Sequence, residues 1–398
     1  KEWTNQSGGS SLSIGLARPG TPTVPYRTEH LQQPYIDIWR ARPPNQCFPG
    51  AQRGAVVACS AFHTPTHGPA MTDPALVPRG DTMNRLTAWL AAALLALALP
   101  AAHAETQFIN VLTGGTSGVY YPMGVALSQL YAKAIPEAKV AVQVTKASAE
   151  NLNLLQAGRG EIGFTLGDAL SDAWKGDEEA GFKTPLKKLR AVAGIYANYI
   201  QIVASADSGI KTLADLKGKR VSVGAAKSGT ELNARAILKA AGLSYKDLAK
   251  VEYLPFGESV ELMKNRQLDA TLQSAGLGVA SLRDLATSIK IVVVPVPADV
   301  VAKVGDAAYQ PAMIPANTYE GQTAAVPTTA ITNFLVTHEG VPADVVYRMT
   351  KAMFTNLDTL ASAHAAGKAI KLDRALIGMP IPLHPGAEKY YKEVGLLK

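Results

Sequence analysis

From residue 108 onward, short apolar or β-branched runs alternate with stretches whose apolar positions recur every three or four residues. That change of period predicts strands and helices in turn. Phe108–Leu112 reads as a strand, Gly114–Gly118 as a loop, and the stretch from about Tyr120 to Ala134 as a helix. Val140–Val144, Ser148–Ala157 and Ile162–Leu166 continue as strand, helix and strand. A β-α-β-α-β order predicts a parallel sheet covered by helices.

A second unit of the same kind begins near Tyr199. Ile200–Ala204, Arg220–Val223, Val251–Leu254, Ala270–Gln273 and Ile289–Val294 read as strands, with helices over Glu231–Ala241 and Glu258–Asn265. A short helix opens at Thr212, with Asp215 where a reciprocal cap would sit. Beyond about Tyr309 prolines and loops loosen the pattern. It returns as a strand over Thr329–Val336 and a long helix over Ala343–Leu360. The expectation is an α/β protein of two lobes, one formed by 105–197 with 310–398, the other by 198–309. Two crossings between the lobes would make a hinge with a cleft beside it.

Residues 1–82 read differently. They hold 11 of the 25 prolines and both cysteines, Cys47 and Cys59, and carry no helical or strand period. At Met83 a short basic start, Met83-Asn84-Arg85, is followed by an apolar run from Leu86 to Leu99 and by Ala102-His103-Ala104. This is the layout of a secretory signal peptide with an A-x-A cleavage site. The expectation is therefore a signal peptide over 83–104, cleavage after Ala104, and a periplasmic product. Because such a segment acts at an N-terminus, 1–82 is expected to be a disordered, non-native or upstream-translated extension.

Composition is informative only after that division. Residues 105–398 carry 31 basic and 27 acidic side chains, no cysteine and no later apolar run long enough for a membrane span. The mild charge lacks the basic cluster that nucleic-acid binding needs. Disulfides and metal–thiolate sites are excluded, and no metal site, cofactor or catalytic residue is assigned.

Three stretches carry a family likeness: Thr113-Gly-Gly-Thr-Ser-Gly-Val-Tyr-Tyr-Pro-Met-Gly124, the run from Ala204 to Thr230, and Ile314-Pro-Ala-Asn-Thr-Tyr-Glu-Gly-Gln322. Together, in this order, they resemble the TAXI family, the extracytoplasmic solute-binding subunits of TRAP transporters. The resemblance extends over 105–398, including Pro380–Gly386. It implies a fold of the type II periplasmic-binding-protein kind, closing on a small carboxylate or amino-acid solute of the glutamate, glutamine or 2-oxoglutarate class. It also implies a monomer that delivers its solute to TRAP membrane permease subunits driven by an ion gradient. Relatives carry glycine where this chain has Ala147, and an amide near the position of Leu166.

The strand-to-helix loops supply the candidate ligand contacts. In the first, Gly115 and Gly118 allow close backbone approach, Thr116, Ser117 and Tyr120 offer hydroxyls, and Tyr121 follows. The loop ends at a helix N-terminus, whose free N–H groups favour an anion. Ser148 and Asn151 could line the same side, or Ser148 could cap its helix. Asp168 could meet a ligand amine or cap the next helix. On the second lobe, Ser228, Gly229 and Thr230 offer N–H and hydroxyl groups, and Ser228-x-x-Glu231 reads as a capping box. Lys227 adds a charge or is solvated, and Arg235 reads as a surface or hinge residue. Phe256, Gln273 and Gly276 close later strands, with Gln273 an amide donor for a carboxylate, while Glu258 reads as a helix start. Tyr196, at the first crossing, touches ligand or packs between the lobes, and Tyr319 reads as structural.

Enzymatic motifs are absent. There is no H-E-x-x-H, G-x-S-x-G or Walker loop, and the histidines after residue 104, His338, His364 and His384, all fall in the C-terminal part. An ABC-type binding protein or a periplasmic sensor input is the alternative reading, and an enzyme on the same fold a more distant one.

Overall fold

The computed structural model describes residues 107–398. The expected signal peptide and the extension before it lie outside the described residues.

Parallel pairing begins at once. Strand β1 (Phe108–Leu112) pairs with β2 (Lys139–Gln143) on one side and with β3 (Ile162–Leu166) on the other. Helices α1 (Tyr120–Ala134) and α2 (Ser148–Gln156) make the crossovers, as parallel neighbours require. On the other side, β5 (Arg220–Ser222) pairs in parallel with β6 (Lys250–Glu252) and β7 (Ala270–Ala275), linked through α4 (Gly229–Ala240) and α5 (Phe256–Lys264). With β4 (Leu189–Ser205) and β10 (Val326–His338), the main path of the sheet runs β2-β1-β3-β10-β4-β7-β5-β6.

Two long antiparallel strands join these halves, β4 (Leu189–Ser205) and β10 (Val326–His338). The first part of β4, Leu189–Tyr199, pairs with β10 on the side of β3. Its second part, Tyr199–Ser205, pairs with β7 and with β8 (Ile291–Val294). The expected two-lobed α/β architecture is therefore present, with one crossing at Tyr199. The second crossing differs from the sequence boundary at 310. Strand β9 (Gln310–Ile314) pairs with Val326–Ala330, and Pro327 accepts from the N–H of Val296 at 2.9 Å. Both contacts are on the β7–β8 side, so the chain returns at Ala330. The exposed, proline-containing β9 carries no apolar alternation that would have marked it.

Each face of the sheet has its own core. Along β4, Ile200, Ile202 and Ala204 face one core, while Val203 faces the other. The same alternation runs along β7, where Ala270 and Leu272 lie under α4 and Ala275 lies on the opposite face. The long helix read over Ala343–Leu360 is two helices, α8 (Ala343–Phe354) and α9 (Leu357–Ala363), broken at Thr355-Asn356. Asn and Thr are poor helix formers, and Asn356 turns its amide back onto the carbonyl of Ala352 at 2.8 Å. Helices α3 (Gly167–Lys175), α6 (Ala280–Ser288), α7 (Ala298–Val304) and α10 (Pro385–Glu393) complete the cover.

Candidate functional site

Four strand-to-helix loops meet between the halves. Gly114–Val119 leads into α1 and Val144–Ala147 into α2. From the other half, the loop ending at Ser228 leads into α4 and Pro255 leads into α5. Together they enclose a cavity of about 340 Å³. The arrangement follows from the topology, because parallel strands deliver their helices' N-termini to one edge of the sheet. Each first turn leaves N–H groups without intrahelical partners and carries a partial positive charge.

The halves are closed on one another. A Cβ placed on Gly229 would lie 2.5 Å from Ser148 Oγ and 2.7 Å from Leu166 Cδ1, both on the opposite half. A Cβ on Gly257 would lie 3.3 Å from Ser117 Oγ, and one on Gly118 would touch the Phe256 ring at 3.8 Å. Glycine at 229 is thus what lets the α4 N-terminus reach its partner.

The cavity brings together Gly115, Thr116, Ser117, Gly118, Tyr120, Ser148, Ser228, Gly229, Thr230 and Phe256, all expected from the sequence. Several of their polar atoms are already engaged. Tyr120 stacks on Phe164 at 5.0 Å, and its hydroxyl donates to Asn333 Oδ1 at 2.5 Å. Burial pushes that hydroxyl's pKa up, so it stays protonated. Ser148 Oγ accepts from the N–H of Leu166 at 3.1 Å. Ser228 Oγ accepts from the N–H of Glu231 at 3.1 Å, which leaves the Gly229 and Thr230 N–H groups facing the cavity. The capping box is only half made. Glu231 turns its carboxylate to Arg235, at 2.7 and 2.8 Å, and to the Tyr245 hydroxyl at 2.9 Å. Arg235 also donates to the carbonyl of Glu179 at 2.5 Å, across the halves. Lys227 is exposed and does not line the cavity.

Ala147 occupies φ 70°, ψ −146° at the N-cap of α2. That region suits glycine, so the residue is strained where it meets the cavity.

Six expected contacts lie elsewhere. Tyr121 follows Tyr120 into α1 and is turned off the cavity. Asn151 is fully buried, donating to the carbonyls of Thr113 (2.7 Å) and Phe164 (2.9 Å) and accepting from Thr145 (2.6 Å). It fixes the loop without facing it. Asp168 lies in the first turn of α3 rather than at its cap; it accepts from the N–H of Ala169 at 2.8 Å and bridges to Asn233 and Tyr309. Burial raises its pKa to about 6. Its neighbour Asp172 is raised to about 7, by burial and then by the Asp168 charge. Tyr196 and Gly276 line a separate cavity of about 560 Å³ beside Ala366 and Arg374. Gln273 projects to the opposite face of β7, where its Oε1 accepts from Ser281 Oγ at 2.6 Å. Tyr319, read as structural, donates its hydroxyl to Gln201 and accepts from the N–H of Gly278 at 3.2 Å.

Asn198 and Ser274, neither assigned a ligand contact from the sequence, also lie in the cavity wall. Asn198 donates to the carbonyl of Ser274 at 2.9 Å and accepts from Asn333 at 2.8 Å. The signal was available for Ser274, because the even-numbered positions of β7 are those on the α4 face.

Residues 111–395 match the NMT1-like family. Among solved structures, the chain is similar to the alkanesulfonate-binding protein SsuA from Xanthomonas axonopodis pv. citri bound to MOPS. The identity is 16% over 74% of this chain and 93% of that one, with a TM-score of 0.42. It is similar to PhnD1 from Prochlorococcus marinus (MIT 9301) in complex with methylphosphonate, at 11% identity over 74% and 100% of the two chains, TM-score 0.48. A third similar structure is described for glutathione import via GshT and the cystine ABC importer TcyBC of Streptococcus mutans. It shares 13% identity over 68% and 99%, TM-score 0.42.

Proposed function

The chain belongs to the NMT1-like family, and on that premise we propose that it is an exported, non-enzymatic solute-binding receptor of the periplasmic-binding type. It captures a small organic oxyanion and hands it to a membrane importer. One observation carries the reading: two helix N-termini from each half end on a single cavity between them. Backbone N–H groups and the positive ends of four helices favour a carboxylate, sulfonate or phosphonate there. Because the contacts come from both halves, the ligand stabilises the closed form over any open one.

Two importer classes fit such a receptor. An ABC-type partner is named in the description of the glutathione-import structure. A TRAP-type partner is supported by Thr113–Gly124, one of the three stretches that resemble the TAXI family, which supplies a wall of the cavity. Under that second reading the solute is of the glutamate, glutamine or 2-oxoglutarate class. Uptake in vesicles carrying the neighbouring permease distinguishes them: an ABC-type partner requires ATP, a TRAP-type partner an ion gradient.

Receptor function itself is tested by thermal unfolding of the purified chain with small carboxylates, sulfonates and phosphonates. A ligand at 100 times its Kd adds about 2.7 kcal/mol to native stability. The reading fails if none raises the midpoint and native mass spectrometry finds no solute bound after purification.

A further inference from the structure

Among the described residues, the charged side chains lining the cavity are Lys146 and Glu258, one of each sign, and both are exposed at the rim. No aspartate, glutamate or arginine side chain is buried in its wall. Asp168, the buried carboxylate in the nearby strand-to-helix loop, is turned away and held by Asn233 and Tyr309. Inside the closed halves an anion meets backbone N–H groups from four helix starts, but an ammonium would meet no buried counter-charge. A cation taken out of water without a buried partner is strongly disfavoured, and a solvated rim carboxylate compensates little. The rest of the wall is uncharged: neutral polar side chains such as Thr116, Thr145 and Asn198, and an apolar surface from Val119, Leu166, Pro255 and Phe256.

A second feature points to a ligand independently. Ser274 lines the cavity, is 4% exposed, and its Oγ has no hydrogen-bond partner. Of the three buried hydroxyls without a partner among the described residues, those of Tyr196, Thr271 and Ser274, the Ser274 Oγ is the one in this cavity's wall, where a ligand atom would pair it. The nearby Asn198 amide is committed to the Ser274 carbonyl, and the Gln273 Oε1 to Ser281.

We infer that the solute is an organic anion that carries no ammonium group, with its apolar body against Phe256 and Leu166 and a hydrogen-bonding atom at Ser274 Oγ. The inference rests on the receptor reading above and narrows it. It excludes free amino acids, including glutamate, and retains their oxo- and des-amino counterparts.

The test is calorimetric titration of the full chain with matched pairs that differ by one amino group: 2-oxoglutarate and glutamate, 4-methylpentanoate and leucine, ethanesulfonate and taurine. The member without nitrogen is expected to bind at least tenfold tighter in whichever pair binds. An amino member that binds as tightly or tighter overturns the inference and leaves the receptor reading standing. If no pair binds, native mass spectrometry decides. A co-purified amino acid overturns the inference alone, a co-purified nitrogen-free anion supports it, and an empty protein overturns both readings. Ser274→Ala supplies a separate readout. It is expected to raise or preserve the midpoint of the ligand-free protein, since it deletes an unpaired hydroxyl, while weakening the bound anion about fivefold to tenfold. Unchanged affinity in S274A removes Ser274 from the contact set.

Discussion

Asp168 Oδ2 accepts from Asn233 Nδ2 at 2.5 Å and from the Tyr309 hydroxyl at 2.8 Å. Asp168 opens α3 in the first half and Asn233 lies in α4 in the second. The bond therefore spans the two halves beside the cavity, and all three residues are buried. In this arrangement of the halves, the carboxylate that joins them is buried.

That coupling gives a pH dependence with a definite sign. Asp168, raised by burial to about 6, binds more protons in the native state than in the unfolded one between about pH 4 and 6. Its contribution to stability is thus full below that window and lost as pH rises through it. His338, His364 and His384, whose pKa values burial lowers, act in the opposite direction. The clean measurement is the difference between wild type and D168N. As pH falls from 7.5 to 5, that difference should move in favour of the wild type. A difference that stays flat removes Asp168 as the titrating group.

Gly229→Ala should block closure. The added methyl would lie 2.5 Å from Ser148 Oγ on the other half, while alanine at the start of a helix costs the isolated half nothing. Affinity is expected to fall at least 100-fold with only a small change in the unfolding midpoint. Small-angle scattering should show the variant failing to contract with ligand. Tight binding in G229A would mean that the halves do not close against this loop.

Ala147→Gly should stabilise the protein. Strain of this kind costs roughly 1–3 kcal/mol, and glycine gives back roughly 0.5–1 kcal/mol in chain entropy. A net gain of about 1 kcal/mol is expected in urea unfolding. A loss would show that the methyl's packing beside Gly114, where a Cβ would sit 3.2 Å away, outweighs the backbone strain.

Gln273→Ala should leave affinity within twofold while lowering stability by about 1–3 kcal/mol, because Ser281 Oγ loses its buried acceptor. A large loss of affinity without destabilisation would reverse the face assignment of β7.

Gln273 also illustrates where the sequence was readable and where it was not. The strand β7 and its position at the cleft could be read from a short apolar run between two helices. Which residue of that strand faces the ligand depends on a period of two, and a slip of one residue moves the choice from Ser274 to Gln273. The loops Gly114–Gly118 and Ser228–Thr230 were legible because glycine and hydroxyl residues at a strand-to-helix junction have few other uses. Asp168 and Asn151 carry equally suggestive side chains, yet their partners lie far along the chain: Asn233 and Tyr309 for one, Thr113 and Phe164 for the other. No local pattern announces such partners. The first part of β4, Leu189–Tyr199, escaped notice because its alanines and glycine blur the alternation, and with it went the true extent of both crossing strands.

Tyr199 and Ala330 are register partners. Both passages of the chain between the lobes therefore run side by side as one antiparallel pair within the continuous sheet. A pair tied by ladder bonds resists being stretched or sheared, but it yields to torsion. For the receptor proposed above, what a bound solute would set is then the twist between the lobes, and an importer touching both lobes would read that twist without ever meeting the solute.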